Sequence, residues 1–133
     1  MGFEFQGLTP LIQVFDMLAS VAFYRDVLGF EIAMQSRPGE HFDWAWLRKG
    51  AASLMLNTAY EADQRPAHPD PARTAGHGDT GLFFDCADLD SAYDYLRSRG
   101  VAAKKPETRG YGMRQMYVTD PDGYELCFQH PVK

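Results

Sequence analysis

The chain is poor in cysteine, with Cys86 and Cys127 its only two in 133 residues. Both fall in stretches that read as strands. They read as buried free thiols rather than a disulfide framework, which suits a cytoplasmic protein. Basic residues are also in the minority: 13 Lys and Arg stand against 18 Asp and Glu, a net charge of -5. Binding a phosphate backbone requires a positive surface, so nucleic acid is not the expected partner. No apolar run approaches the roughly 18 residues of a membrane span. Met1-Gly2-Phe3-Glu4-Phe5 lacks the basic and apolar regions of a signal peptide. No Ser-His-Asp arrangement, phosphate loop or nucleotide fingerprint stands out. The remaining composition, 45% hydrophobic and 23% charged, is that of an ordinary soluble protein, long enough for one domain with a real core.

What the chain does contain is one pattern written twice. Leu8 to Phe15 alternates as a strand, with Thr9, Leu11 and Gln13 on one face and Pro10, Ile12 and Val14 on the other. Asp16 starts a helix carrying Val21, Phe23, Tyr24, Val27 and Leu28 at helical spacing, and Gly29 ends it. Strands follow at Phe30 to Gln35, Phe42 to Leu47 and Ala51 to Leu56, with turns at Arg37-Pro38-Gly39-Glu40 and Arg48-Lys49-Gly50. The second copy opens with a strand at Leu82 to Cys86. A helix capped by Asp88 runs through Arg99 to Gly100, and a short strand is predicted over Val101 to Lys105. Met113 to Thr119 and Tyr124 to Gln129 form a hairpin across Asp120-Pro121-Asp122-Gly123. The two helix starts lie 72 residues apart and the two turn glycines, Gly50 and Gly123, lie 73 apart. Between the copies, Thr58 to Thr80 holds Pro66, Pro69 and Pro71. It reads as a long exposed connection with room for one helical turn, either a binding loop or a plain linker.

Two segments carry a family resemblance: Phe23-Tyr24-Arg25-Asp26-Val27-Leu28-Gly29-Phe30, and Val118-Thr119-Asp120-Pro121-Asp122-Gly123-Tyr124-Glu125-Leu126. With the repeat, they make the chain resemble the vicinal oxygen chelate superfamily over about residues 7 to 130. That superfamily includes glyoxalase I, extradiol dioxygenases, fosfomycin-resistance enzymes and bleomycin-resistance proteins. The resemblance implies an α+β fold of two tandem βαβββ modules, about 7–57 and 81–130, forming an open, curled mixed β-sheet around a cavity. It also implies a homodimer. Fold alone does not settle function.

Metal-using members of the superfamily bring carboxylates and imidazoles from the first and last strand of each module onto a divalent ion, with positions left open for substrate. In this sequence those positions fall on Thr9, on Leu54 (or Met55 if the register slips by one), on Gly81 and on Cys127. These are not hard-metal ligands, so no cofactor is expected. A substitute site from Gln13, Glu125 and His77 is the alternative, and with it a metal-dependent lyase of the lactoylglutathione type or a dioxygenase. A third reading is metal-free acid-base catalysis with Glu125 as base.

Without metal, the cavity works by shape and polarity. Alternation puts Phe42, Trp44 and Trp46, and by the repeat Gln115 and Tyr117, on the side shared with Thr9, Gln13, Glu125 and Cys127. Such a lining suits an aromatic or amphipathic ligand, and as a plain alternative it suits a filled core. Arg114 either clamps an anionic group or pairs with a carboxylate such as Glu125. The expected ligand-binding set is therefore Gln13, Trp44, Trp46, Leu54, Arg114, Gln115, Tyr117, Glu125 and Cys127, in a small-molecule binder similar to bleomycin-resistance proteins.

Overall fold

The computed structural model describes residues 2–60 and 64–132. Among the described residues there are eight strands and three α-helices, and all but the helix of the connecting segment follow the doubled order. The first unit holds β1 (Leu11–Gln13), α1 (Met17–Val21), β2 (Glu31–Gln35), β3 (Trp44–Lys49) and β4 (Ala52–Asn57). The second holds α2 (Pro71–Gly76), β5 (Gly81–Asp85), α3 (Leu89–Ser98), β6 (Glu107–Thr108), β7 (Met113–Thr119) and β8 (Glu125–Pro131). The two compact units divide between Arg65 and Pro66. Each has its own open, mixed four-stranded sheet, ordered β1-β4-β3-β2 and β5-β8-β7-β6. The parallel partners show how closely the plan repeats. Leu11 pairs Met55 and Gly81 pairs Glu125, both across 44 residues.

Local chemistry explains most boundaries. Pro10 has no N–H to give the ladder, so β1 begins after it, although the Pro10 carbonyl still accepts from Met55 N–H at 2.8 Å. Asp16 caps α1 through Ala19 N–H at 3.3 Å. Beyond α1 the helix widens into π turns over Ala22–Val27, where Leu28 N–H reaches back to the Phe23 carbonyl at 3.0 Å. Gly29, at φ +86°, reverses the chain into β2. Asp88 caps α3 through Ser91 N–H at 3.1 Å.

Three expectations are corrected. The strand predicted at Val101 to Lys105 does not form. Ala103 N–H turns back to the Val101 carbonyl at 2.9 Å, and the edge strand forms later, at Glu107–Thr108. Phe42 lies before β3, whose ladder begins at Trp44, and is buried rather than sharing the tryptophan face. His130, expected beyond the last strand, lies within β8. The connecting segment carries α2 and a 3-10 turn at His77–Asp79; its residues 61–63 lie outside the described residues.

The aliphatic core of each unit lies mainly on one sheet face. In the first, Ile12, Leu54, Leu56, Ala45 and Leu47 are buried together with Val21 and Tyr24. In the second, Met116, Val118 and Leu126 are buried and α3 packs on β7 and β8. Burying such side chains contributes about 1.5–3 kcal/mol each.

Candidate functional site

The opposite face of each sheet is where the sequence pointed. On the first sheet the cross-strand pairs Trp44–Asn57, Trp46–Met55 and Arg48–Ser53 continue into Leu11–Met55 and Gln13–Asn57. Gln13, Trp44 and Trp46 therefore share one face, as alternation requires. The Trp46 indole N–H donates to Ser53 Oγ at 2.7 Å, and Ser53 Oγ also meets Thr9 Oγ1 at 2.8 Å. The Arg48 guanidinium lies 4.3 Å from the Trp46 ring centroid, a cation–π contact. Asn57 Nδ2 donates to Gln13 Oε1 at 3.1 Å. Leu11 and Met34 complete the face and remain about half exposed. Met55, not Leu54, occupies this face; Leu54 is buried in the core, one residue out of register.

On the second sheet the pairs Gln115–Gln129, Tyr117–Cys127 and Thr119–Glu125 bring four expected residues together: Gln115, Tyr117, Glu125 and Cys127. Gln115 is buried, and its Oε1 accepts from the Tyr111 hydroxyl at 2.6 Å and the Tyr117 hydroxyl at 3.3 Å. Its Nε2 donates to Gln129 Oε1 at 2.9 Å. Thr119 Oγ1 donates to Glu125 Oε1 at 2.9 Å. Burial pushes the Cys127 thiol above its ordinary range, against the lowering effect of the Tyr117 hydroxyl, and burial also raises Tyr117. Arg114 stands apart. It pairs with His130 across the ladder, on the α3 side, and donates to Asp90 Oδ1 at 2.8 Å. Of the two roles considered for Arg114, pairing with a carboxylate is the one seen, and the carboxylate comes from α3 and not from Glu125.

His77 is anchored at one ring nitrogen. Its ring stacks on Tyr124 at 4.1 Å and its Nδ1 lies 2.6 Å from the Asp122 carbonyl. A carbonyl only accepts, so Nδ1 carries the hydrogen. Among the described residues no three His, Cys, Asp or Glu side chains gather where they could hold a metal ion. Thr9, Met55, Gly81 and Cys127 do not fit a hard divalent ion either.

One feature went unread in the sequence. Between the start of α1 and the 36–43 loop of the first unit lies an open recess of about 330 Å³. Its lining is scattered from Asp16 to Arg65, and no periodic signal marks it.

Paired βαβββ modules, each a helix-backed mixed sheet with a patterned second face, define a class of α+β proteins. The chain belongs to the Glyoxalase/Bleomycin resistance protein/Dioxygenase superfamily, whose model matches residues 8–128. It is 28% identical to a lactoylglutathione lyase of Schizosaccharomyces pombe, over 92% of this chain but 47% of the lyase, so it spans about half that relative's length. TnmS3, an antibiotic binding protein from Streptomyces sp. CB03234, is 25% identical, with a TM-score of 0.66 over 97% of this chain and 99% of that one. A bleomycin resistance determinant encoded on the transposon Tn5 is 23% identical, with a TM-score of 0.70 over 96% and 98%, and shows the shared fold. No described helix is long and apolar enough to cross a membrane.

Proposed function

We propose that this protein binds a small aromatic or amphipathic molecule without a metal, and does so as a homodimer. The observation that carries this is the Trp46 face. An indole pinned by Ser53 lies beside Trp44, Met55 and the Gln13–Asn57 amide pair. Fixed aromatic surface with a few oriented polar groups is the usual make-up of a small-molecule site. TnmS3, described as an antibiotic binding protein, lends the reading an analogy.

The second reading is a metal-dependent lyase or dioxygenase. The Schizosaccharomyces pombe relative favours it; the donor set speaks against it. A metal-free reaction with Glu125 as base has a half-buried carboxylate to work with, already accepting from Thr119.

Tryptophan fluorescence titration with bleomycin and with aromatic metabolites tests the binder, alongside metal analysis of the purified protein. Trp46→Ala is expected to weaken a bound ligand by about tenfold or more, and Glu125→Gln by much less. Near-stoichiometric Ni, Zn, Fe or Mn, or equal affinity for wild type and Trp46→Ala, would overturn the reading. Sizing in solution tests the dimer.

A further inference from the structure

The recess of the first unit has its own chemistry. Its floor is apolar, with Met17 and Phe42 buried and Tyr60 partly so. Its rim mixes Arg37, His41 and Arg65 with Asp16, Glu40 and Asp43. Two of the acids are already engaged. Asp43 Oδ1 accepts from Ser36 Oγ at 2.7 Å, and that bond holds its carboxyl below the ordinary value. Asp16 Oδ1 caps α1.

The two arginines are held more loosely. Arg37 lies 3.6 Å from Asp43 and Arg65 lies 3.4 Å from Asp16. The pairs Arg25–Asp26 and Arg114–Asp90 each close to 2.8 Å, within the roughly 2.7–2.9 Å of a committed charge-assisted bond. A guanidinium carries five N–H donors, so both arginines keep donors for another anion. The three acids on the rim disfavour a doubly charged one.

We propose that this recess is a second ligand site, for a small organic monocarboxylate with an apolar or aromatic body. The carboxylate is received by Arg37 and Arg65, and the body lies over Met17, Phe42 and Tyr60. A volume of about 330 Å³ sits at the lower end of small-molecule sites, which run from roughly 300 to 1,000 Å³. The site uses no residue of the Trp46 face, so it stands or falls apart from the function proposed above.

Amide NMR titration of the whole chain tests it, with phenylacetate, its uncharged counterpart phenylacetamide, and inorganic phosphate as probes. Phenylacetate is expected to move the signals of Met17, Leu18, Phe42 and Tyr60. Phenylacetamide and phosphate should bind about tenfold more weakly, and Arg37→Gln or Arg65→Gln should weaken phenylacetate by about tenfold, the loss of one charged hydrogen bond. Trp44→Ala should leave these shifts unchanged. Both arginines lie at the surface, and an otherwise unaltered spectrum will show that the variants fold. The proposal is overturned by unmoved signals at millimolar phenylacetate, by an equal response to phenylacetamide or phosphate, by wild-type affinity in both arginine variants, or by shifts confined to the Trp46 face.

Discussion

The two sheets are built to one plan and finished differently. On the helix-backed faces, Leu54 and Leu56 in one unit correspond in role to Leu126 and Met116 in the other, all buried and apolar. On the opposite faces the likeness stops. The parallel pair Gln13–Asn57 is two amides, while Phe83–Cys127, across the same 44-residue separation, is a half-exposed ring beside a buried thiol. The first sheet fixes an indole through Ser53; the second ties Tyr111, Tyr117 and Gln129 around one buried glutamine. Core packing constrains one face in both copies, and the other face is where the copies have been free to differ. On the first sheet that is the face proposed to receive the ligand.

The sharpest contrast lies in the hairpin turns. Asp120 is buried, and its Oδ1 accepts from Asp122 N–H at 2.8 Å and Tyr124 N–H at 2.9 Å. Next to it, Gly123 sits at φ +87° where a Cβ would come within 2.7 Å of the Thr74 carbonyl oxygen. At the corresponding turn of the first unit, the exposed Lys49 Nζ donates to the Leu28 carbonyl at 2.8 Å. Asp120→Ala is expected to cost about 2–4 kcal/mol, because it removes a buried carboxylate that accepts from two backbone N–H groups. Lys49→Ala should cost below about 1 kcal/mol, since water replaces its bond. Urea unfolding of both variants measures the difference. Similar losses would mean that the turns are equivalent after all.

That turn was also the most legible part of the sequence, because Asp-Pro-Asp-Gly allows few backbone solutions. Helix starts at Asp16 and Asp88 and the alternation of β3, β7 and β8 were readable for the same reason: each is a local rule. What failed depended on distant partners. Whether Leu54 or Met55 faces outward is set by the pairing with Leu11 and Trp46, and the one-residue ambiguity swaps the faces. Phe42 was assigned by alternation to a strand that begins two residues later. The sequence places Arg114 next to Gln115, but only the α3 contact reveals that it serves Asp90. The recess draws its lining from loops, where no period exists to be read.

The polar networks on the outer faces should differ in weight as well. Gln115→Leu keeps the side chain's bulk but removes the acceptor of two tyrosine hydroxyls and the donor to Gln129. A loss of about 1–3 kcal/mol is expected, as for a buried network deprived of its hub. Ser53→Ala removes the acceptor of the Trp46 indole on a half-buried face, and about 1 kcal/mol should follow. Its clearer sign is optical: the freed indole N–H turns to solvent and the tryptophan emission shifts to the red. Thermal unfolding and emission spectra of the two variants together check the ranking. An unshifted spectrum for Ser53→Ala would remove the Trp46–Ser53 bond from the argument.

The smallest effect concerns pH, and it separates the sheets by chemistry alone. Burial raises the folded Cys127 thiol above its ordinary 9.0, so the folded state holds that proton more tightly than the unfolded chain does. A raised folded value contributes stability that is complete below the unfolded value and disappears as pH climbs through the folded one. Tyr117, raised from 10.0 by burial, continues the loss at higher pH. Asn57 and Gln13, the matching pair of the first sheet, do not titrate. Wild-type urea midpoints should therefore hold steady from neutral pH to about 9 and then decline. Cys127→Ala removes the first part of that decline, so its own fall should begin nearer the tyrosine range. Because the comparison is between slopes, any constant loss from the missing sulfur cancels. Parallel alkaline slopes for wild type and Cys127→Ala would show that the thiol ionises in the folded protein as easily as in the unfolded chain, and the second sheet would lose its claim to the more sequestered face.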